Sequence, residues 1–132
     1  MEMRINFQEG KKVNVFLDNF IIKTDQKIEY GGDNENPEPF SLFIASIGAC
    51  TGFYVLSFCQ KRNISTEDIT LFLKTKKNKL NNLIEEINID IKTSKLFPDK
   101  YIKPVIKAAN LCSVKRQLDD PPKINISLQK SN

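Results

Sequence analysis

Three cysteines, Cys50, Cys59 and Cys112, are the residues of this chain best suited to covalent chemistry. Histidine is absent from all 132 residues. That excludes a Ser-His-Asp triad, a papain-like Cys-His pair, a two-histidine zinc site and a histidine pH switch. No CxxC occurs, so neither a thioredoxin-type pair nor a zinc ribbon can be built. An ionised, reachable thiol is a nucleophile, whereas one buried among apolar groups is a packing atom. Taken singly, each cysteine reads more readily as packing. Lys115 and Arg116 bring positive charge close to Cys112, and a helix starting there would add its dipole; both favour thiolate. Cys50 and Cys59 are nine residues apart. At about 100° per residue they face opposite sides of one helix. They cannot line one site together, and Cys59 is expected to pack.

The chain that must position these thiols has a mass of 15.1 kDa, which suits a single domain over residues 1–132. Hydrophobic residues make up 40% and charged residues 27%, the balance of a globular protein. The net charge of +4 comes from 20 basic and 16 acidic side chains, and a solvated surface accounts for it. Lys74, Lys76, Lys77 and Lys79 read as a strand end and its turn. No basic stripe is interleaved with aromatics, so a nucleic-acid partner is disfavoured. Three widely spaced cysteines behind an N-terminus without an apolar core argue against a disulfide framework. A reducing cytoplasm is the expected compartment.

Apolar residues alternate through the first third: Met3, Ile5, Phe7, then Val13, Val15, Leu17, then a short run at Phe20-Ile21-Ile22. Period two predicts half-buried strands in an antiparallel meander. A polar, turn-rich stretch follows over 25–39, and long loops of this kind are often functional. From Pro39 to Gln60 there is no charged residue. The apolar run 40–59 has the length of a membrane span. Ser41, Ser46, Thr51 and Ser57 interrupt it, and no second span accompanies it. The expected reading is a long buried central helix, not a membrane segment. A domain this small cannot easily wrap such a helix alone, so a second subunit is expected to cover its far face. Gly48 and Gly52 offer a place for close backbone approach. Further strands are predicted around Ile69-Leu71-Leu73 and Ile87-Ile89-Ile91. A second helix carries Tyr101, Ile102, Val105, Ile106 and Ala109 on one face, with Pro104 kinking it or marking its start. Asp119-Asp120-Pro121-Pro122 is a stop, and Ile124, Ile126 and Leu128 predict a last strand. Grouped strands in this order mean an α+β fold with an antiparallel sheet.

Two stretches carry a family resemblance. Pro39-Phe-Ser-Leu-Phe-Ile-Ala-Ser-Ile-Gly-Ala-Cys50-Thr resembles a pattern of proline, apolar helix and Gly-Ala-Cys-Thr. Ala108-Ala-Asn-Leu-Cys112-Ser-Val-Lys-Arg116-Gln-Leu118 resembles a second pattern, usually Cys-Pro-Val followed by Ser, Arg and Leu. Together they look like the OsmC/Ohr family of osmotically inducible and organic-hydroperoxide-resistance proteins. The resemblance implies an intertwined cytoplasmic homodimer with the long helices buried together and the sites at the subunit interface. It implies that Cys50 attacks the peroxide and becomes a sulfenic acid, and that Cys112 resolves it to a Cys50–Cys112 disulfide. An external dithiol or thiol, lipoyl-type in the best-understood members, would restore both. No metal or organic cofactor is implied.

The chain departs from that pattern at three places. Phe40 follows Pro39 where peroxidase members carry a glutamate, Arg4 lies in no motif that matches the family arginine, and Ser113 replaces a proline. An apolar helix raises a thiol pKa by desolvation unless positive charge compensates. Weaker activity than in members with the full apparatus is therefore expected. The leading expectation is a two-cysteine peroxidase acting on organic hydroperoxides or hydrogen peroxide. The alternative is a protein of the same fold that binds a small ligand with little or no turnover.

Overall fold

The computed structural model describes residues 1–131. The chain forms two compact units, one of residues 1–46 and one from Ile47 onward. In the first, β1 (Arg4–Phe7), β2 (Val13–Leu17) and β3 (Phe20–Thr24) pair antiparallel in the order β1-β2-β3. Ile5 faces Val15 and Val15 faces Ile22, so the alternating apolar residues share one face. The β1–β2 turn uses Gly10 at φ 66°, and the β2–β3 turn sets Asp18 at φ 50°, a conformation aspartate tolerates. The meander is the one the alternation predicts. Its strands are not half-buried throughout: Ile5, Phe7, Phe20 and Ile21 are exposed.

The loop before the long helix closes on Asp25, which is fully buried. Its carboxylate accepts the backbone N–H of Gln26 at 2.8 Å, Glu35 at 3.1 Å and Asp33 at 3.3 Å. Burial would push this carboxyl up, but these donors together hold it below its ordinary range. Lys12 Nζ lies 2.6 Å from Asp33 and 3.1 Å from Glu35, and both acids raise its pKa. A Cβ at Gly32 would fall 2.0 Å from the Gln26 carbonyl oxygen, so the closure admits only glycine there.

Helix α1 (Pro39–Gln60) opens with proline, whose missing N–H has no helical partner to lose. It ends in a Schellman motif: Asn63 is left-handed at φ 53°, and the N–H of Ile64 donates to the Cys59 carbonyl at 3.0 Å. Ile47, Thr51, Val55, Phe58 and Cys59 form its buried stripe. Phe40, Phe43, Phe53 and Leu56 are exposed. One stripe is therefore buried and the far face, for which a second subunit is expected, lies open, because this chain supplies cover for one face only.

In the second unit, β4 (Thr70–Lys77) and β5 (Ile84–Lys92) make a separate antiparallel pair. Leu71 faces Ile91 and Leu73 faces Ile89 on the inner side. On the outer side Lys74 meets Asp90 at 3.9 Å and Lys76 meets Glu85 at 3.2 Å, so the lysine cluster is a solvated, partly neutralised face. Gly48 lets Leu73 approach: a Cβ there would meet its side chain at 3.4 Å. Helix α2 (Ile102–Ala109) follows a 3-10 turn at Asp99–Tyr101, and Pro104 lies in its first turn. Helix α3 (Ser113–Asp119) comes three residues later. Val55, Phe58, Cys59, Val105 and Ala109 are the core, with Ile69, Leu71, Ile91, Phe97 and Tyr101 packed around it. Arg62 lays its guanidinium 3.7 Å from the Phe58 ring centroid.

Three further expectations are corrected. The strands form two sheets, and the described residues hold three α-helices, since α3 is too short and polar to show a periodic face. The strand predicted at Ile124, Ile126 and Leu128 does not form; all three are exposed. Alternation alone does not make a strand; its backbone groups must also pair with a neighbour.

Phe58 is 7% exposed at the centre of the core. Phe58→Ala should lower the unfolding free energy by about 3–5 kcal/mol, read as a shifted midpoint in urea denaturation.

Candidate active site

The site lies where α3 begins. The chain leaves α2 through a tight turn in which the N–H of Leu111 donates to the Ala108 carbonyl at 3.0 Å and that of Cys112 to Ala109 at 3.4 Å. Cys112 is the N-cap of α3, and its Sγ accepts the N–H of Lys115 at 3.5 Å. Cap residues are usually Ser, Thr, Asp or Asn, so a thiol here is unusual. The thiol is fully buried and directs its proton toward the Ile47 carbonyl of α1, with sulfur and oxygen 3.9 Å apart.

Cys50 sits on α1 and is half-buried. The first residues of α3 converge on it. The backbone N–H of Val114 is the strongest influence on its ionisation. Desolvation opposes it, and the Cys112 thiol together with the Ser113 N–H and hydroxyl adds to it. The balance holds the Cys50 thiol below its ordinary range. The expectation of a raised pKa in an apolar helix is thus overturned. Free helix N–H groups carry partial positive charge and stabilise an anion as a cationic side chain would. The sequence reading assigned this helix terminus to Cys112; its amides serve both thiols. Lys115 turns its ammonium to the Asn110 side-chain oxygen.

All three thiols are free. Cys50 and Cys112 are brought side by side. Cys59 is fully buried in the core, and burial pushes its pKa up against the influence of Arg62. Arg4 stacks on Phe16 at 4.8 Å from the ring centroid, and Phe40 packs on Phe43 with centroids 5.6 Å apart. Two residues at the site were not picked out as functional from the sequence. Ser113 registered only as a departure from a pattern. Tyr54 lies one helical turn beyond Cys50, and its Oη is 3.2 Å from Ser113 Oγ. Its i, i+4 spacing from Cys50 was the available signal. Among the described residues no group of three or more Cys, Asp or Glu could hold a metal ion.

The fold and site define an α+β protein with paired thiols on a helix N-terminus. The model of the OsmC-like protein family matches residues 32–127, and the chain belongs to that family. No curated protein matches it in sequence. Solved structures share the fold. One is a Psychrobacter arcticus 273-4 protein named for osmotic stress induction and a detoxification response. It is 19% identical, with a TM-score of 0.73 over 87% of this chain and 85% of that one. Another is an OsmC-like protein from Mycoplasma pneumoniae, 13% identical, TM-score 0.70, covering 91% and 87%. A third is an organic hydroperoxide resistance protein OsmC from Legionella pneumophila, 16% identical, TM-score 0.57, covering 89% of each chain.

A lowered thiol pKa means that thiolate persists at lower pH, so alkylation should rise with pH and level off early. The midpoint for Cys50 should lie below the free-cysteine value of about 8.5. Cys59 should stay unreactive in the folded protein. Iodoacetamide labelling across pH, with the modified peptides quantified by mass spectrometry, checks both.

Proposed function

We propose that this chain is a thiol-dependent peroxidase that reduces organic hydroperoxides or hydrogen peroxide as a cytoplasmic homodimer. The observation that carries the reading is the contrast between two adjacent thiols. Cys50 is half-buried with a lowered pKa, whereas Cys112 beside it is fully buried. A peroxide can reach the first and not the second.

In this reading the Cys50 thiolate attacks the distal oxygen of ROOH. The O–O bond breaks, its electron pair leaves on RO⁻, and the alkoxide takes a proton from solvent to give ROH. Cys50 is left as a sulfenic acid. The Cys112 thiol then attacks that sulfur, forming an S–S bond and releasing water. An external thiol or dithiol supplies the two electrons and two protons that return both cysteines to thiols. The α3 amides favour the thiolate without a charged side chain. This fits a chain whose Phe40 and Arg4 are occupied in ring stacking.

The dimer is supported by what the chain leaves uncovered. Phe53 and Phe40 on α1 are 58% and 55% exposed. Ile124, Ile126 and Leu128 are exposed and unpaired. Apolar surface on this scale is rare on soluble monomers. A second copy offers a matching α1 face and further sheet edges.

Cys50→Ser should abolish peroxide consumption. Cys112→Ser should allow one oxidation per subunit and then stall or slow, and Cys59→Ser should turn over like the parent. Following hydroperoxide loss with dithiol and monothiol reductants separates these outcomes. An intact parent protein that leaves every hydroperoxide untouched would favour ligand binding on the same scaffold. Sedimentation at micromolar concentration without detergent should give about twice 15.1 kDa, with stability rising with protein concentration.

A further inference from the structure

We propose that α3 is folded only while Cys112 is a thiol, and that joining Cys112 to Cys50 in a disulfide melts this helix and opens the sulfurs to the reductant. The inference rests on the peroxidase reading above and deepens it by naming what admits a thiol reductant to a buried site.

α3 is held by little besides Cys112. It has seven residues, and none of them is buried. A helix that short does not persist by itself in water. Its one fully buried attachment is the residue just ahead of it. Cys112 Sγ accepts the Lys115 N–H at 3.5 Å, and its S–H donates to the Ile47 carbonyl of α1 with sulfur and oxygen 3.9 Å apart. The other polar ties are Tyr54 Oη with Ser113 Oγ at 3.2 Å and Lys115 with Asn110. Both are exposed and compete with water. From Asp120 to residue 131 the chain is exposed and adds no anchor.

Forming the disulfide removes both Cys112 contacts. The carbonyl oxygen of a helical residue points into the turn three and four residues on, so the Ile47 oxygen marks the turn of α1 that carries Cys50. Cys112 Sγ, in contact with that oxygen, is within reach of the turn. In the condensation the Cys112 sulfur attacks the sulfenic sulfur of Cys50. The S–S bond forms, the S–O bond breaks, and the Cys112 proton leaves with the hydroxyl as water. A disulfide sulfur carries no hydrogen, so donation to the Ile47 carbonyl ends whatever the sulfur's position. An S–S bond of about 2.05 Å also turns the sulfur toward Cys50 and away from the Lys115 N–H. The first amides of α3 then lack their cap, and a helix without buried residues unwinds. A dithiol must bring a sulfur into contact with the disulfide, and the unwound segment clears its way. Two electrons and two protons from the dithiol restore both thiols, and α3 refolds over the pair. The site is thus open to the reductant only when it holds a bond to reduce.

The test is limited trypsin digestion of the full-length protein, with the products read by mass spectrometry. Lys115 and Arg116 lie inside α3, so cleavage after them reports its opening. Lys107 in α2 is the internal reference. Diamide, a diazene that accepts two electrons and two thiol protons, forms the disulfide without peroxide. Parent protein carrying the Cys50–Cys112 disulfide should be cut within α3 about tenfold faster than the reduced protein, with cleavage at Lys107 unmoved. Cys112→Ser keeps a capping side chain and should be cut slowly with and without diamide. Cys50→Ser leaves Cys112 without a partner and should also be cut slowly in both states. Cys112→Ala, with folding followed by thermal melting, should be cut fast in both. Should it fail to fold, the oxidised and reduced parent still decide. Oxidised parent cut within α3 no faster than reduced would overturn the proposal. So would equal acceleration at Lys107, acceleration in Cys50→Ser, or diamide that forms no Cys50–Cys112 disulfide. Faster cleavage without hydroperoxide turnover would sink the peroxidase and leave the switch standing. Turnover with unmoved cleavage would do the reverse.

Discussion

The arrangement of the thiols depends on the complete burial of Cys112 at the start of α3. Its sulfur meets the Ile47 carbonyl on one side and the Lys115 N–H on the other. That pair of contacts pins the N-terminus of α3 against α1. Because the first amides of a helix have no internal partners, pinning them there aims them at whatever α1 presents. What it presents is Cys50. One buried side chain thus caps a helix, supplies a neighbouring thiol and delivers the amides that favour a thiolate.

The second constraint is the uncharged helix itself. α1 runs for 22 residues with no ionisable side chain other than its cysteines and Tyr54. A positive charge in it would lower thiol basicity directly, but the buried stripe from Ile47 to Cys59 would carry the cost of desolvating that charge. Backbone amides avoid this conflict. They bring partial positive charge already paired within a folded turn, and they need no long cationic side chain to be ordered. The same apolar character leaves Phe53 and Leu56 open to solvent. A site and an uncovered face on one helix are two results of the same composition.

The elements that a repeat or a stop marks were readable without coordinates. β2 and β3 follow the alternation, α1 begins at its proline, and Pro104 falls in the first turn of α2. Cys59 could be separated from Cys50 by helical phase alone, and it is a core atom. The misses have a common cause. α3 is seven residues long and mostly polar, too short for a periodic face. Ile124, Ile126 and Leu128 alternate as a strand should, yet they pair with no strand of this chain and stay exposed.

The sequence by itself determined the five strands, helices α1 and α2, the phase of the cysteines on α1 and the family, because these follow from local periodicity and from residues at short spacing. Only the tertiary structure decided the state of Cys50. Its thiol is governed by Val114, Ser113 and Cys112, more than sixty residues away along the chain. Read from its neighbours in sequence, it sits in an apolar helix and should resist ionisation. Read from its neighbours in space, it faces unpaired amides and favours the anion. Electrostatic energy depends on distance and orientation in three dimensions, and that juxtaposition exists only once α3 has docked on α1.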